Sequence, residues 1–286
     1  MYFCPNFNDM KRYIFFLASV ALLFSCSNSA DFETDYKVYE VQGKVREVTY
    51  KNNENPDKNV VIQFNKDGML VYEQLPGRIF EYKYDGKYIK ELKSFIGDSV
   101  DLRRTYKYEK HYPVEIREFN NEGTIRKKVQ YTYDSDGNRT KGVILNPYND
   151  TLFVWDYTFK DGLVYEENRI GFSEVIPTGD TQNSEPIVKT YKKSYEARFE
   201  YAYNDKKELA SIVEFAGEER ISKTEYKIFH GVPLQTAIIS YWAGAVSDST
   251  TMTYGFDEKG NWIFKRTLSL RGREQRQERV VKYYKE

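Results

Sequence analysis

The chain repeats one short motif: a tyrosine, any residue, and then a second apolar ring or aliphatic side chain, followed by turn-forming residues. Successive copies begin 24, 25, 26, 44, 25 and 28 residues apart, so all intervals but one agree closely. A fixed period of this kind indicates a fold that uses one supersecondary unit many times. The copies are Tyr82 and Tyr84, Tyr106 and Tyr108, Tyr131 and Tyr133, Tyr157 and Phe159, Tyr201 and Tyr203, Tyr226 and Ile228, and Tyr254 and Phe256.

Within a unit, apolar and polar residues alternate. Ile125, Val129 and Tyr131 fall on one face of such a segment, whereas Arg126 and Gln130 fall on the other. Period two is typical of a half-buried β-strand. Turn-forming residues follow the pairs, at Asp85 and Gly86, Asp134 to Asn138, Asp161 and Gly162, Asn204 and Asp205, and Asp257 to Asn261.

Strand, tight turn and returning strand together predict a β-hairpin in each unit. No helical period is found from about Tyr36 onwards. We therefore predict an all-β fold, a continuous antiparallel meander of repeated hairpins that forms a curved sheet of roughly 14 or more strands. The sequence leaves open whether this sheet closes on itself.

The one long interval points to an insertion. Residues 171–186 are rich in Thr, Ser, Asn, Gly and Pro, which are typical of loops. We interpret this stretch as an inserted loop, with a domain boundary as the weaker alternative. The predicted organisation is a signal peptide at 1–25, a tether at 26–35 and a repeated hairpin domain at 36–286.

The N-terminus has the pattern of an export signal. Lys11 and Arg12 precede an apolar run that extends from Tyr13 to Phe24. This run is shorter than the roughly 20 apolar residues that a membrane-spanning helix needs, so a cleaved signal peptide is the better interpretation. Either Met1 or Met10 is the start.

The end of this signal resembles the lipobox of bacterial lipoproteins. Leu23, Phe24 and Ser25 precede Cys26, which the resemblance implies is the lipid acceptor. The alternative is a plain signal peptide with an incidental cysteine. The resemblance implies a lipid-anchored protein of the outer membrane, facing the periplasm or the cell surface. Cleavage also removes Cys4 and leaves no thiol for a disulfide.

The repeats themselves resemble a known family. Tyr131 to Asn138 and Tyr254 to Trp262 resemble the YD repeats of the RHS family, and the chain is similar to RHS/YD-repeat-like lipoproteins of the Bacteroidota. The family implies a long spiralling antiparallel sheet, which in large members encloses a toxin. This chain is too short for a large shell. The matching repeat and turn residues are Tyr131, Tyr133, Asp134, Gly137, Asn138, Tyr254, Phe256, Asp257, Gly260 and Asn261.

The charge balance and the hydrophobic content of the chain limit its partners and the shape of its fold. The chain has 43 basic and 43 acidic residues, so no strong field favours nucleic acid. Its hydrophobic fraction of 40% includes 26 tyrosines, so little aliphatic material remains for a thick core. Because tyrosine buries its ring and keeps its hydroxyl at a wet rim, we expect a thin or elongated sheet.

Several polar residues raise the question of chemistry. Asp85, Asp134, Asp136 and Asp257 would serve as catalytic carboxylates or calcium ligands, but their recurrence at hairpin turns favours a turn-forming role. His111 and His230 are the chain's two histidines, too few for a usual zinc or copper site. We therefore predict no metal and no cofactor.

Two further groups have competing interpretations. Trp155, Trp242 and Trp262 are candidate ligand-contact aromatics, and the alternative is that they form the inward face of the sheet. The charged cluster from Lys265 to Arg279 is mixed in sign and is interpreted as a solvated hairpin tip.

These observations favour a non-catalytic binding or structural module of the cell envelope. Its partner would be an envelope protein, a peptide or a glycan, and a free sheet edge would accept an extended peptide. One alternative is a surface enzyme that acts on glycan or peptide. A second alternative, suggested by the RHS resemblance, is a part of a toxin or effector system.

Overall fold

In a computed structural model, residues 39–52, 54–175 and 190–285 are described. Cys26, the signal peptide and the tether lie outside them. No helix in the described part of the chain is long and apolar enough to cross a membrane. The strands are β1 (Val45–Lys51), β2 (Val60–Phe64), β3 (Leu70–Leu75), β4 (Arg78–Asp85), β5 (Tyr88–Ile96), β6 (Ser99–Glu109), β7 (Tyr112–Asn120), β8 (Ile125–Tyr133), β9 (Arg139–Leu145), β10 (Thr151–Lys160), β11 (Leu163–Val175), β12 (Thr190–Tyr203), β13 (Leu209–Ala216), β14 (Glu219–Phe229), β15 (Val232–Trp242), β16 (Ala245–Phe256), β17 (Trp262–Ser269) and β18 (Glu274–Tyr283).

The strands form one antiparallel meander of 18 strands that closes into a β-barrel. Each strand pairs with the next along the chain, and β1 pairs with both β2 and β18. At the closing pair Val48 lies opposite Val281, and Lys282 forms a 2.6 Å ion pair with Glu47. The predicted all-β meander is confirmed. The expected free edge for a bound peptide is wrong, because closure pairs both outer strands of the described sheet.

Asx-capped turns join many of the strands. In the turn from Asp134 to Asn138, the Asp134 carboxylate accepts from the backbone N–H groups of Asp136 at 3.0 Å and Asn138 at 2.8 Å. Asp257 caps the turn to Asn261 in the same way. The fourth residue of each turn, Gly137 or Gly260, has positive φ, which glycine adopts without strain. Asp134 and Asp257 thus each close a turn by accepting hydrogen bonds from its backbone.

The aromatic repeat has two more members than the sequence showed. Every pair lies at the end of an even-numbered strand, and β2 ends with Ile62 and Phe64 in the same position. Near the end of β18, Val281 and Tyr283 take these places. Both units have an aliphatic residue first, which hid them from a search for a leading tyrosine. The barrel is thus nine hairpin units, each of two strands.

The two faces of the barrel wall differ sharply. A closed ring has no further layer outside it, so the buried face, which carries Val48, Ile62 and Leu92, is the inside. On the outside, Glu91 is within 3.9 Å of both Lys83 and Arg103, in a row of charges that crosses neighbouring strands. Membrane-spanning barrels instead carry an apolar outer band. At these strands the outer wall carries charges in place of such a band.

The second tyrosine of several pairs ties neighbouring strands together. Its hydroxyl donates to a backbone carbonyl at the start of the preceding strand, from Tyr84 to Leu70 at 2.7 Å and from Tyr133 to Pro113 at 2.9 Å. These hydroxyls stay hydrogen-bonded while their rings line the inside. The repeated tyrosines thus explain how a chain with little aliphatic material holds its wall together.

Alkaline pH should destabilise the fold. Burial raises the pKa of Tyr106, Tyr108 and Tyr157 to about 12, above the ordinary value of roughly 10 for an unfolded chain. Their contribution to stability is complete below pH ~10 and is lost as the pH rises towards ~12, because the unfolded chain then releases protons first. Part of the tyrosinate absorbance should therefore appear only together with the loss of the circular dichroism signal of the fold. Complete ionisation of the tyrosines with the fold intact would contradict this.

The segment before β1 packs against the inside at one end of the barrel. We call this the aromatic end, because the aromatic pairs and the turns after even-numbered strands lie there. Asn261 binds the backbone of Gln42 twice, as acceptor at 2.6 Å and as donor at 3.0 Å. Arg279 donates to the carbonyls of Tyr39 at 2.9 Å and Glu40 at 2.8 Å.

Arg279 contradicts the sequence interpretation of its cluster. Its side chain is 2% exposed and its guanidinium lies 3.8 Å from the ring centre of Trp262. Lys265 is half-buried on the same inner face. Arg266 and Arg276 do lie on the outside, where both contact Glu274. The cluster is therefore only in part a solvated tip.

The predicted insertion begins as strand rather than loop. β11 continues through Gly171 to Val175 and pairs with β12 as far as Thr190. The first five residues of the predicted loop therefore lengthen a hairpin. The remainder, up to residue 186, lies outside the described residues.

Candidate ligand-binding wall inside the barrel

The three tryptophans do not form one site. Trp262 is 3% exposed and packs with Val232 and Leu234 in a core cluster. Trp242 is 77% exposed at the β15–β16 turn. Trp155 is half-buried on the inner face of β10. Trp262 therefore has a packing role among the rings of Tyr50 and Tyr254, whereas Trp155 is partly exposed on another part of the inner wall.

This inner wall extends from β8 to β12. The Trp155 ring lies 6.0 Å from that of Tyr131 and 5.8 Å from that of Phe153, between ring centres. Phe153 in turn stacks on Tyr195 at 6.1 Å. Tyr195 is 42% exposed, so this part of the inner face is open to the lumen. We call Phe153, Trp155 and Tyr195 the aromatic shelf.

Two glycines make room for the shelf. A Cβ atom on Gly142 would lie 2.2 Å from the Trp155 ring, and one on Gly171 would lie 3.2 Å from Tyr195. Neither glycine has positive φ, so backbone strain does not explain them. Their role is close approach: each lets a large ring lie flat against the neighbouring strand.

Substitution of Gly142 tests this packing. We expect Gly142→Ala to lower the free energy of unfolding by about 1–3 kcal/mol, because the new methyl group must displace the Trp155 ring. Urea unfolding measures the loss, and tryptophan fluorescence should shift with it. Gly255→Ala is the matched control, since its Cβ would lie 3.6 Å from Phe264 in ordinary contact. Equal stability of the two variants would contradict the close approach.

An arginine lies beside the shelf between two tyrosine rings. The guanidinium of Arg139 is 5.1 Å from the ring centre of Tyr131 and 5.4 Å from that of Tyr157. Its Nη2 is 3.5 Å from the Tyr157 hydroxyl, and its buried Nε has no hydrogen-bond partner within the described structure. Cation–π contacts on both sides fix the guanidinium plane.

A second charged group completes the wall. Glu167, 1% exposed, accepts two hydrogen bonds from Arg169, at 2.7 and 3.0 Å. It also accepts from the Tyr201 hydroxyl at 2.7 Å. Burial and the neighbouring Glu167 carboxylate raise the pKa of Tyr201 far above its ordinary value. Arg169 lies 4.2 Å above the Phe199 ring.

Glu167 and the two histidines are engaged in contacts of their own. The Glu167 carboxylate is occupied by three hydrogen bonds, which hold it in place rather than free to act as a general base. No cluster of three or more potential metal ligands occurs among the described residues. His111 Nδ1 lies 2.6 Å from the Tyr88 hydroxyl, and His230 packs edge-on against Phe256.

Sequence reasoning missed most of this wall. Arg139, Glu167 and Arg169 were not singled out, since nothing in a linear pattern separates them from outward-facing charges. The aspartates that were singled out lie elsewhere: Asp85 and Asp136 are exposed at turns.

The comparisons with known proteins add little to this geometry. No family model and no curated protein matches the chain. A crystal structure of TcdB2-TccC3-Cdc42 shares 12% identity over 80% of this chain, which spans 16% of that one, with a TM-score of 0.32. A porin-like protein from Bacteroides uniformis shares 12% identity over 83% of this chain and 96% of its own, with a TM-score of 0.44. A porin-like protein from Bacteroides vulgatus shares 10% identity over 84% of this chain and 98% of its own, with a TM-score of 0.32. Likenesses this distant leave the function to be inferred from the geometry.

Proposed function

We propose that the protein is a lipid-anchored envelope lipoprotein of the RHS/YD-repeat type that binds a ring-containing ligand, such as a glycan, inside its barrel without chemical turnover. The observation that carries this is the aromatic shelf, whose Tyr195 is 42% exposed on the inner face. Aromatic side chains that stay partly exposed in a concave site are typical of ligand binding.

A barrel with a charged outer wall fits attachment by a lipid on Cys26 better than insertion of its strands.

Lipid attachment has its own test. We expect Cys26→Ala to abolish incorporation of a labelled fatty acid and to release the protein from outer membranes. Ser27→Ala, one residue away, is the matched control and should leave both unchanged. Persistent labelling of the Cys26→Ala variant would refute the lipid anchor.

Ligand binding is tested on the purified full chain with a panel of neutral and acidic oligosaccharides, by calorimetry and tryptophan fluorescence. We expect Tyr195→Ala to weaken binding by about tenfold, because one stacked ring is worth about 1 kcal/mol or more. Tyr165→Ala is the matched control, since Tyr165 is 50% exposed but lies outside the shelf. An equal loss of affinity in the two variants would overturn the aromatic shelf as the binding site.

The enzyme alternative has a separate outcome in the same experiment. Products of hydrolysis from the glycan panel, or from a parallel peptide panel, would replace the binding proposal with a catalytic one. Such turnover should then disappear with a single carboxylate, and Asp136 and Asp257 are the first to substitute.

A further inference from the structure

Arg139 is a charged residue at a repeat position that is apolar in every other hairpin unit. In each hairpin unit, the second residue of the aromatic pair lies opposite a residue near the start of the neighbouring odd-numbered strand. In eight of the nine units that residue is apolar. The eight are Val45, Leu70, Ile89, Pro113, Val164, Leu209, Pro233 and Trp262, and in the ninth Arg139 lies opposite Tyr133.

The other arginines of the inner face have partners that Arg139 lacks. Arg104 binds the Glu118 carboxylate at 2.8 Å, and Arg169 binds Glu167 at 2.7 Å. Arg279 is satisfied by backbone carbonyls of the N-terminal segment. Within the described residues, Arg139 forms no ion pair with a carboxylate, and its Nε–H remains unpartnered.

A cation in this setting is costly unless something compensates it. Taking a guanidinium out of water requires a counter-charge or a full set of acceptors, and tyrosine rings supply only part of that. Arg139 as a whole is half-buried, and its Nε atom is enclosed. It shares Tyr131 as a neighbour with Trp155, which places the cation and the aromatic shelf on one continuous surface.

We infer that this wall binds a carboxylate carried on a sugar ring, with Arg139 receiving the carboxylate and the aromatic shelf receiving the ring. The inference rests on the proposed binding function and names its ligand class. The planar guanidinium matches a carboxylate in a forked, two-bond geometry, and the flanking tyrosines hold it in the orientation that this needs.

The test uses the purified full chain and three probes: tetragalacturonate, its methyl ester, and sulfate. Tetragalacturonate and its ester share the sugar chain and differ in charge, and sulfate supplies charge without a ring. We expect calorimetric binding of tetragalacturonate, at least tenfold weaker binding of the ester, and no competition by sulfate at equal concentration. Arg139→Gln should weaken tetragalacturonate binding at least tenfold and leave the binding of the ester unchanged.

Two further variants separate recognition from folding. Arg126→Gln removes an exposed arginine on the adjacent strand β8 and should leave binding unchanged. Arg139→Lys keeps the charge without the fork and should give intermediate affinity. If Arg139→Gln does not fold, the affinity of Arg139→Lys tests the arginine, and a larger thermal shift of the unaltered chain by tetragalacturonate than by its ester tests the carboxylate.

The outcomes distinguish this inference from the broader proposal. Equal binding of tetragalacturonate and its ester would overturn the role of Arg139 and leave a binding barrel for neutral rings. Strong competition by sulfate would overturn the proposed recognition of the sugar ring and leave a simple anion-binding site. Absence of binding by the acid, together with failure of the wider panel, would overturn both.

Discussion

Replacement of Arg279 by alanine is expected to lower the free energy of unfolding by about 3–5 kcal/mol. The guanidinium donates to the carbonyls of Trp262, Tyr39 and Glu40, and its loss removes all three hydrogen bonds at once. Stacking of the guanidinium on Trp262 is lost as well. Urea unfolding measures the change. Proteolysis should also begin within residues 39–43, because the segment loses its attachment.

The same strand provides the control. Arg276 is exposed on the outer face and contacts only Glu274 among the described acidic residues, so Arg276→Ala should change stability by less than about 0.5 kcal/mol. A similar loss of unfolding free energy in both variants would mean that Arg279 stabilises the fold no more than an exposed arginine does. Unchanged protection of residues 39–43 in Arg279→Ala would show that other contacts hold the segment.

Replacement of Glu167 by alanine is expected to have an effect of similar size, about 3–5 kcal/mol. Its side chain is 1% exposed and receives hydrogen bonds from both Arg169 and Tyr201. Without the carboxylate, the arginine remains in the wall as an uncompensated cation. Thermal and urea unfolding should agree on the loss.

A double variant isolates that cause. Glu167→Leu combined with Arg169→Met removes both charges at similar volume, and it should recover most of the stability lost in the single variant. Asp156→Ala, which breaks an exposed ion pair with Lys141 on the outer wall, should cost at most about 1 kcal/mol. A double variant as unstable as Glu167→Ala would point instead to lost packing.

The fold was largely predictable because the residues that indicate strands and turns lie within each repeat. Alternation defines strands, and Asp134 with Gly137 or Asp257 with Gly260 defines turns, so neither depends on distant residues. Closure was not predictable in this way. It depends on the curvature summed over all the strands and on the match between β1 and β18, which no local pattern reports.

The candidate site was much less predictable. Arg139, Glu167 and Arg169 look in sequence like the charges of the outer wall, because alternation separates two faces without saying which is inside when both contain charge. Trp262 and Trp155 were correctly assigned to an inward face as one of two alternatives. The roles of Gly142 and Gly171 depend on rings from neighbouring strands, so neither glycine could be interpreted alone.

Ring closure has a consequence for the order of folding. Seventeen of the eighteen strand pairings join consecutive strands and need only a short stretch of chain to form. The pairing of β1 with β18 joins the two extremes of the barrel and carries the largest loop-closure entropy, so it should form last. Until then both terminal strands present unpaired backbone that can associate with other chains. The risk of misassembly is therefore greatest before β18 pairs with β1, and closure of the barrel removes it.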